Sequence, residues 1–359
     1  MSHLSQRITG LDYARALAIF GMILVNYKIA MQAEEGGAPW LRAFAGLFEG
    51  RASALFVVLA GIGVSFMTAK IRTSRNKELI RQTRNSLYRR ATFLFLAGMF
   101  LLAIGWSADI LHYYAVFLLV ASVLITLSDN KILGLFVSFL FASQLFLLLF
   151  DYSKGWSMNF HEYTDFWTFT GFFRNLLFNG FHPIFPWLCF FLIGLWIGRK
   201  GWLSQGKRLK VLLFASVGTI IFELISLLLI KWISPVLDHE AATYLFTTKP
   251  MPPTMLYVLS GTCSALAVLV ISLYLADKFA NSFLTKAMIA TGQLSLSHYI
   301  GHVIIGLGFL EALGYMENGS LSFAIVYGCG YFVLAFLFSF FWRRWMTRGP
   351  VELIMRKFC

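Results

Sequence analysis

"KIRTSRNKELIRQTRNSLYRR", residues 70–90, carries eight Lys/Arg against a single Glu and lies between two apolar runs. Basic residues that flank membrane spans collect on the cytoplasmic side, so this stretch reads as a cytoplasmic loop and orients the segments around it. With about 20 apolar residues per crossing, ten spans are predicted, at approximately 11–31, 52–69, 91–107, 110–128, 132–150, 183–198, 211–232, 254–276, 287–309 and 321–342. Only Ser107, Ala108 and Asp109 part the third run from the fourth, and fusing them would invert everything downstream. Charge favours two helices. With ten spans both termini are cytoplasmic, and about 22 Lys/Arg lie inside against 7 outside, with Arg15 left within the first span.

The expected fold is therefore all-α: a polytopic integral membrane protein of about ten transmembrane helices, N and C termini cytoplasmic, forming one domain over residues 1–359. Extracytoplasmic loops fall near 32–51, 151–182 and 233–253, and the basic loop 70–90 is suited to lie as an interfacial helix. Composition agrees, because 58% hydrophobic and only 13% charged residues are what solvation by lipid demands. The net charge of +13 does not indicate nucleic acid, since the basic residues punctuate apolar runs and form no soluble basic face. Cys189, Cys263, Cys329 and Cys359 lie in or beside apolar runs without CxxC spacing, which indicates neither a disulfide framework nor a zinc site. The run 11–31 is long enough to span and lacks a small-residue cleavage site, so it reads as a helix and not as a cleaved leader.

In so apolar a chain the embedded polar residues are the informative ones. Asp12 and Arg15 stand one turn apart in the first span with Asn26 deeper. They read either as a local ion pair plus an interhelical amide, or as a receiver for a phosphate-bearing donor, whose oxygens a guanidinium binds in pairs. Of seven histidines only His3 is cytoplasmic on this topology; His112, His161, His182 and His239 fall at outer helix ends or loops, and His298 and His302 within a span. Asp109 and His112 have the i,i+3 spacing in which a carboxylate orients an imidazole base. His182 sits in "FHPIFPW", where Pro183 and Pro186 stiffen the start of a helix. His298 and His302, spaced i,i+4, are compatible with metal binding, proton relay or interhelical bonding; no third ligand accompanies them, and no metal is assigned. Glu223 poses the same question in the seventh span.

Several stretches together, "RITGLDYARALAIFGMILVN" (7–26), "ALFVVLAGIGVSF" (54–66), "WSADILHYYAVFLLV" (106–120), "FHPIFPWLCFFLIGLWIGRKG" (181–201), "GQLSLSHYIGH" (292–302) and "RRWMTRGPVELIMRKF" (343–358), resemble the bacterial YeiB-like family in the same order. The closing "GPVELIMRK" and the opening Asp, Arg, Asn arrangement are the most specific. YeiB-like proteins are similar to heparan-α-glucosaminide N-acetyltransferase and, more distantly, to membrane O-acyltransferases of bacterial polysaccharides. The resemblance implies transfer of an acyl group, acetyl above all, from cytoplasmic acyl-CoA to an extracytoplasmic or membrane-embedded acceptor such as a glycan, small amine or alcohol, in the bacterial inner membrane. Asp12, Arg15 and Asn26 match that enzyme's first-helix motif. The histidine that follows its Asn has no counterpart at 27–51, and YeiB-like members often carry Asn or Gln where this chain has His298 and His302.

The leading reading is thus an acyl-CoA-dependent acyltransferase. Asp12 and Arg15 would serve the acetyl-CoA or other acyl-CoA, Asn26 would stabilise an oxyanion, and an outer-half histidine would act as base: His182 first, then His112 with Asp109, then His298 or His302. Its partners would be the bilayer, acyl-CoA and an acceptor the sequence does not name, and a homo-oligomer is compatible with it. The alternatives are a proton-coupled exporter using Glu223, His298 and His302, and a non-catalytic sensory or scaffolding protein.

Overall fold

A computed structural model describes residues 8–34, 36–73, 76–158 and 160–359. His3, and Ser74 and Arg75 of the basic stretch, lie outside the described residues. The helices in chain order are α1 (Thr9–Ala30), α2 (Pro39–Gly46), α3 (Arg51–Met67), α4 (Ala69–Thr73), α5 (Lys77–Ala103), α6 (Leu111–Leu124), α7 (Asp129–Leu149), α8 (Phe169–Arg174), α9 (Ile184–Lys200), α10 (Gln205–Leu237), α11 (His239–Phe246), α12 (Met255–Lys278), α13 (Phe283–Gln293), α14 (Ser295–Gly301), α15 (Gly308–Ala312), α16 (Leu321–Trp345) and α17 (Pro350–Phe358). Wide π-turns continue α8 over Asn175–Asn179 and join α14 to α15 over His302–Leu307. Among the described residues there is no sheet, only a bridge between Trp156 and Tyr163.

Each of the ten apolar segments meets a helix, but not all as straight spans. Among the described residues seven helices are long and apolar enough to cross a membrane, and up to nine crossings result if each of two bent pairs is one span. The run at 183–198 belongs to a pair, Phe169–Asn179 with Ile184–Lys200, bent by 47°. The run at 287–309 belongs to another, Phe283–Gln293 with Ser295–Ala312, bent by 72°. Helix α6 has only 14 residues, about 21 Å of rise against about 30 Å of hydrocarbon. Residues 77–90 of the basic stretch are helical, as expected, but run on into the third apolar segment as the first half of α5, capped by Asn76, whose side chain accepts from the amides of Glu78 and Leu79. Chain reversal at 104–110 keeps α5 and α6 separate, with Gly105 at φ +95°.

The chain divides into two compact units, Met1–Phe56 with Ala265–Arg356, and Val57–Ser264 with Lys357–Cys359. In the first, Tyr13, Ala16, Ala276 and Met288 form a buried core. Gly292 of α13 lies directly on α1, where a Cβ would stand 1.7 Å from the Asp12 carbonyl oxygen. In the second unit α5 and α6 run antiparallel: Arg84 donates to the Ser122 carbonyl at one end, and a Cβ on Gly98 would meet the Asp109 carboxylate at 2.5 Å at the other. Helix α3 packs on α9 through reciprocal glycines; a Cβ at Gly61 would lie 2.1 Å from the Phe191 carbonyl, and one at Gly194 2.2 Å from that of Val58. Small residues let membrane helices approach where lipid supplies no hydrophobic drive for association. Helix α10 is largely exposed, whereas α1 is mostly buried within its unit.

Gly61→Val is expected to cost at least about 1–3 kcal/mol by overpacking. Gly134→Ala, which meets nothing within 4 Å, should leave the unfolding midpoint in detergent where it was. Equal midpoints for the two variants would refute the tight α3–α9 contact.

Candidate functional site

The second unit gathers Asp109, His112 and His182. Asp109 ends the α5–α6 turn, and its Oδ2 accepts from the His112 backbone amide at 3.0 Å and from His112 Nδ1 at 2.8 Å. A carboxylate only accepts, so Nδ1 is the donor, which in the neutral ring leaves the lone pair on Nε2. That Nε2 is buried without a hydrogen-bond partner. The His182 ring lies 5.9 Å from that of Tyr113, and its Nδ1 is likewise buried and unpartnered. Beside it lies Trp187, ring centroids 4.5 Å apart, whose Nε1–H is also buried with no acceptor. Two unused ring nitrogens and one unused indole donor thus collect in one apolar cluster, where each unsatisfied group carries a penalty of about 1–3 kcal/mol. Such groups mark where a polar ligand would be stabilised.

Tyr113 joins this cluster to the outside. Its ring lies on His112, centroids 3.8 Å apart, and its hydroxyl donates to the Asn175 side chain. Asn175 opens the π-turn after α8 and forms part of a cleft of about 90 Å³ whose other walls include Trp156, Tyr163, Phe166, Trp167 and Phe181. The hub that folds the 151–168 segment over this break is Asn179. Its Nδ2 donates to the carbonyls of Tyr152 and Lys154, its Oδ1 accepts from the Tyr163 hydroxyl, and its own carbonyl accepts from the Trp156 indole. Burial pushes the Tyr163 phenol up, so it stays a donor.

In the first unit the remaining sequence-nominated residues form different arrangements. His302 Nδ1 meets the Tyr299 carbonyl, which makes that nitrogen a donor, and its Nε2 pairs with Asn26 Nδ2 at 2.8 Å. Both ring nitrogens are therefore engaged, and the lone pair a base would need is already used. His298 Nε2 meets Ser339 Oγ at 2.6 Å; that hydroxyl donates to the Ala335 carbonyl, so His298 is the donor. Asp12 holds Arg15 at 2.5 Å and receives Gln293 Nε2 at 3.2 Å, tying α1 to α13. Arg15 remains 26% exposed while Asp12 is 1% exposed, so only the guanidinium reaches outward.

Two other arginines are occupied by backbone carbonyls. Arg199, its side chain 2% exposed, donates to the carbonyls of Leu124, Ile125 and Leu127, closing the C-terminus of α6, and Arg72 does the same for Ser65 of α3. Free carbonyls at a helix end attract cations. Sequence reasoning passed over Tyr113, Asn175, Trp187, Gln293 and Ser339. The adjacency of Tyr113 to His112 and of Trp187 to Pro186 was visible, but the contacts of Asn175, Gln293 and Ser339 cross 41 to 281 residues of chain. Among the described residues no three His, Cys, Asp or Glu side chains group as metal ligands.

The family described as "Heparan-alpha-glucosaminide N-acetyltransferase, catalytic" matches residues 7–234, and that described as "Protein of unknown function (DUF418)" matches residues 197–359. The first match covers more than half the chain, and the chain belongs to that acetyltransferase-related, YeiB-like family of multi-pass membrane proteins. It takes in Asp12, Arg15, Asn26, Asp109, His112 and His182, while His298 and His302 fall in the second. No curated protein matches the chain significantly.

His302→Ala strips partners from Asn26 and the Tyr299 carbonyl and is expected to lower stability by about 1–3 kcal/mol. His302→Gln, which can donate to one and accept from the other, should recover part of this in thermal unfolding. A silent alanine variant would show that the Asn26–His302 bond contributes nothing.

Proposed function

We propose that the protein is an acyl-CoA-dependent membrane acyltransferase, with acetyl as the favoured group, and that the Asp109–His112 dyad is its general base. The observation that carries this is the buried, unpartnered Nε2 of a histidine whose other nitrogen is held by a carboxylate. Asp109 fixes the tautomer and stabilises the imidazolium. His112 Nε2 takes the proton of an acceptor hydroxyl or amine as that oxygen or nitrogen attacks the thioester carbonyl carbon. The carbon–sulfur bond then breaks, and the CoA thiolate leaves with the proton returned by His112. Trp187 Nε1–H, a donor without an acceptor in the same cluster, suits the developing oxyanion. His112 is preferred to His302 because both nitrogens of His302 are engaged.

The aromatic cleft gives the acceptor a character. None of its lining residues carries a formal charge, so it suits an uncharged ring with an apolar face and hydroxyls, such as a sugar, over a phosphate-bearing group. Arg15 remains the group suited to the CoA phosphates. The bacterial inner membrane and cytoplasmic termini belong to the same proposal.

Labelled-acetyl transfer from acetyl-CoA to a panel of sugars should fall about 10²–10⁴-fold in Asp109→Asn and in His112→Gln protein that still elutes as a folded species. Full activity in the folded double variant would remove the dyad from the mechanism. Saturation with acetyl-CoA at 100 times its dissociation constant should add about 2.7 kcal/mol to stability, and Arg15→Ala should lose most of that shift. No shift with any acyl-CoA would overturn the donor assignment.

A second reading, proton-coupled export, draws on Glu223, whose carboxylate in apolar α10 accepts hydroxyl bonds from Thr248 at 2.7 Å and Ser260 at 2.5 Å. It requires flux driven by a pH gradient in proteoliposomes without acyl-CoA, and abolition of that flux by Glu223→Gln.

A further inference from the structure

The closing motif "GPVELIMRK" is the sequence signal that acyl transfer leaves unused. Its glutamate reaches a distant helix. Helix α14, which carries His298, starts after Leu294, a residue with no side chain able to cap it. Glu352 of α17 caps it instead: Oε1 accepts from the amides of Leu296 at 2.9 Å and Ser297 at 3.2 Å, and Oε2 meets the Ser297 hydroxyl. Ser297 Oγ in turn accepts from the Val351 amide at 3.0 Å, so the two helix N-termini are cross-linked. The motif's other residues serve this joint. A Cβ on Gly349 would stand 2.1 Å from the Glu352 carboxylate, and Pro350 opens α17, where a missing N–H is least missed.

Besides Glu352, which is turned onto α14, residues 342–358 carry only basic charges, Arg343, Arg344, Arg348, Arg356 and Lys357, of which all but the half-buried Arg343 are exposed. Among them Trp345 is 79%, Ile354 58%, Phe358 48% and Met346 46% exposed. Helix α17 has too few residues to span and too many charges to enter hydrocarbon. Basic residues interleaved with exposed Trp, Phe and Ile are suited to the headgroup layer, and each Lys/Arg near an anionic surface strengthens binding roughly fivefold.

We propose that residues 342–358 are a docking surface for the anionic headgroups of the bilayer, and that Glu352 makes the order of α14 depend on that docking. Glu352 is a positioning residue here, acting through the α14 backbone. The inference stands apart from the acyltransferase reading.

The test is hydrogen–deuterium exchange of the full-length protein in nanodiscs of phosphatidylcholine alone and of phosphatidylcholine mixed with phosphatidylglycerol. Phosphatidylglycerol should slow exchange at 350–358 and at 295–301 together, and high salt or the combined Arg348→Gln, Arg356→Gln, Lys357→Gln variant should abolish both effects. Glu352→Ala should speed exchange at 295–301 about tenfold, as loss of a helix cap does. It should also uncouple 295–301 from the lipid while 350–358 still responds; should that variant not fold, Glu352→Gln, which keeps one acceptor oxygen, is read for the same uncoupling. Identical exchange in the two lipid mixtures would overturn the docking surface. A lipid response at 295–301 that survives loss of the carboxylate would overturn the coupling.

Discussion

Hydrocarbon offers no hydrogen bonds, so each polar group this chain carries into the membrane must find a protein partner or bear the cost of lacking one. Four carboxylates, buried at Asp12 and Asp109 and half-buried at Glu223 and Glu352, show how such groups are met by the protein. Asp12 takes an arginine and a glutamine, Asp109 an imidazole and a backbone amide, Glu223 two hydroxyls, and Glu352 the open end of a helix. These joints tie α1 to α13, the α5–α6 turn to its own helix start, α10 to the segment before α12, and α17 to α14. Packing follows them, with Gly292 on Asp12, Gly98 on Asp109 and Gly349 on Glu352 each leaving room for close approach.

The same requirement separates the histidines. His302 has its nitrogens matched by Tyr299 and Asn26, and it holds helices together. His112 has one nitrogen matched and one left bare in a buried site. Both were plausible bases on residue type alone, and the difference lies in partner arithmetic: a ring with both nitrogens engaged must break a bond to accept a proton. The chain belongs to an acetyltransferase-related family, and a carboxylate-held histidine with a bare nitrogen is a chemistry suited to the acyl transfer proposed for it.

Departures from straight spans carry the polar residues of both units. The bend between α8 and α9 carries Asn175, Asn179 and His182, and the bend between α13 and α14 lies beside the helix that Glu352 caps. A broken helix frees backbone groups that side chains must then satisfy, and those side chains become fixed in place. The π-turns at Asn175–Asn179 and His302–Leu307 have the same character.

Much of the architecture was legible without coordinates, because lipid solvation forces apolar residues into long runs and basic residues to their ends. That reading placed apolar segments where helices form, though not the number of crossings, and it caught the i,i+3 relation of Asp109 to His112, a local spacing that a helix start makes into a contact. It could not show that 183–198 and 287–309 belong to bent pairs, that 77–90 runs on unbroken into the third apolar segment, or that Arg199 closes α6, since these depend on backbone groups at helix ends. Nor could residue type distinguish His112 from His302: what decides, Asn26 Nδ2 beside His302 and the want of any partner at His112 Nε2, is set by helices packed from far apart in the chain. Local chemistry is written in neighbouring residues, whereas the satisfaction of a buried nitrogen depends on which distant group the folded chain brings to it.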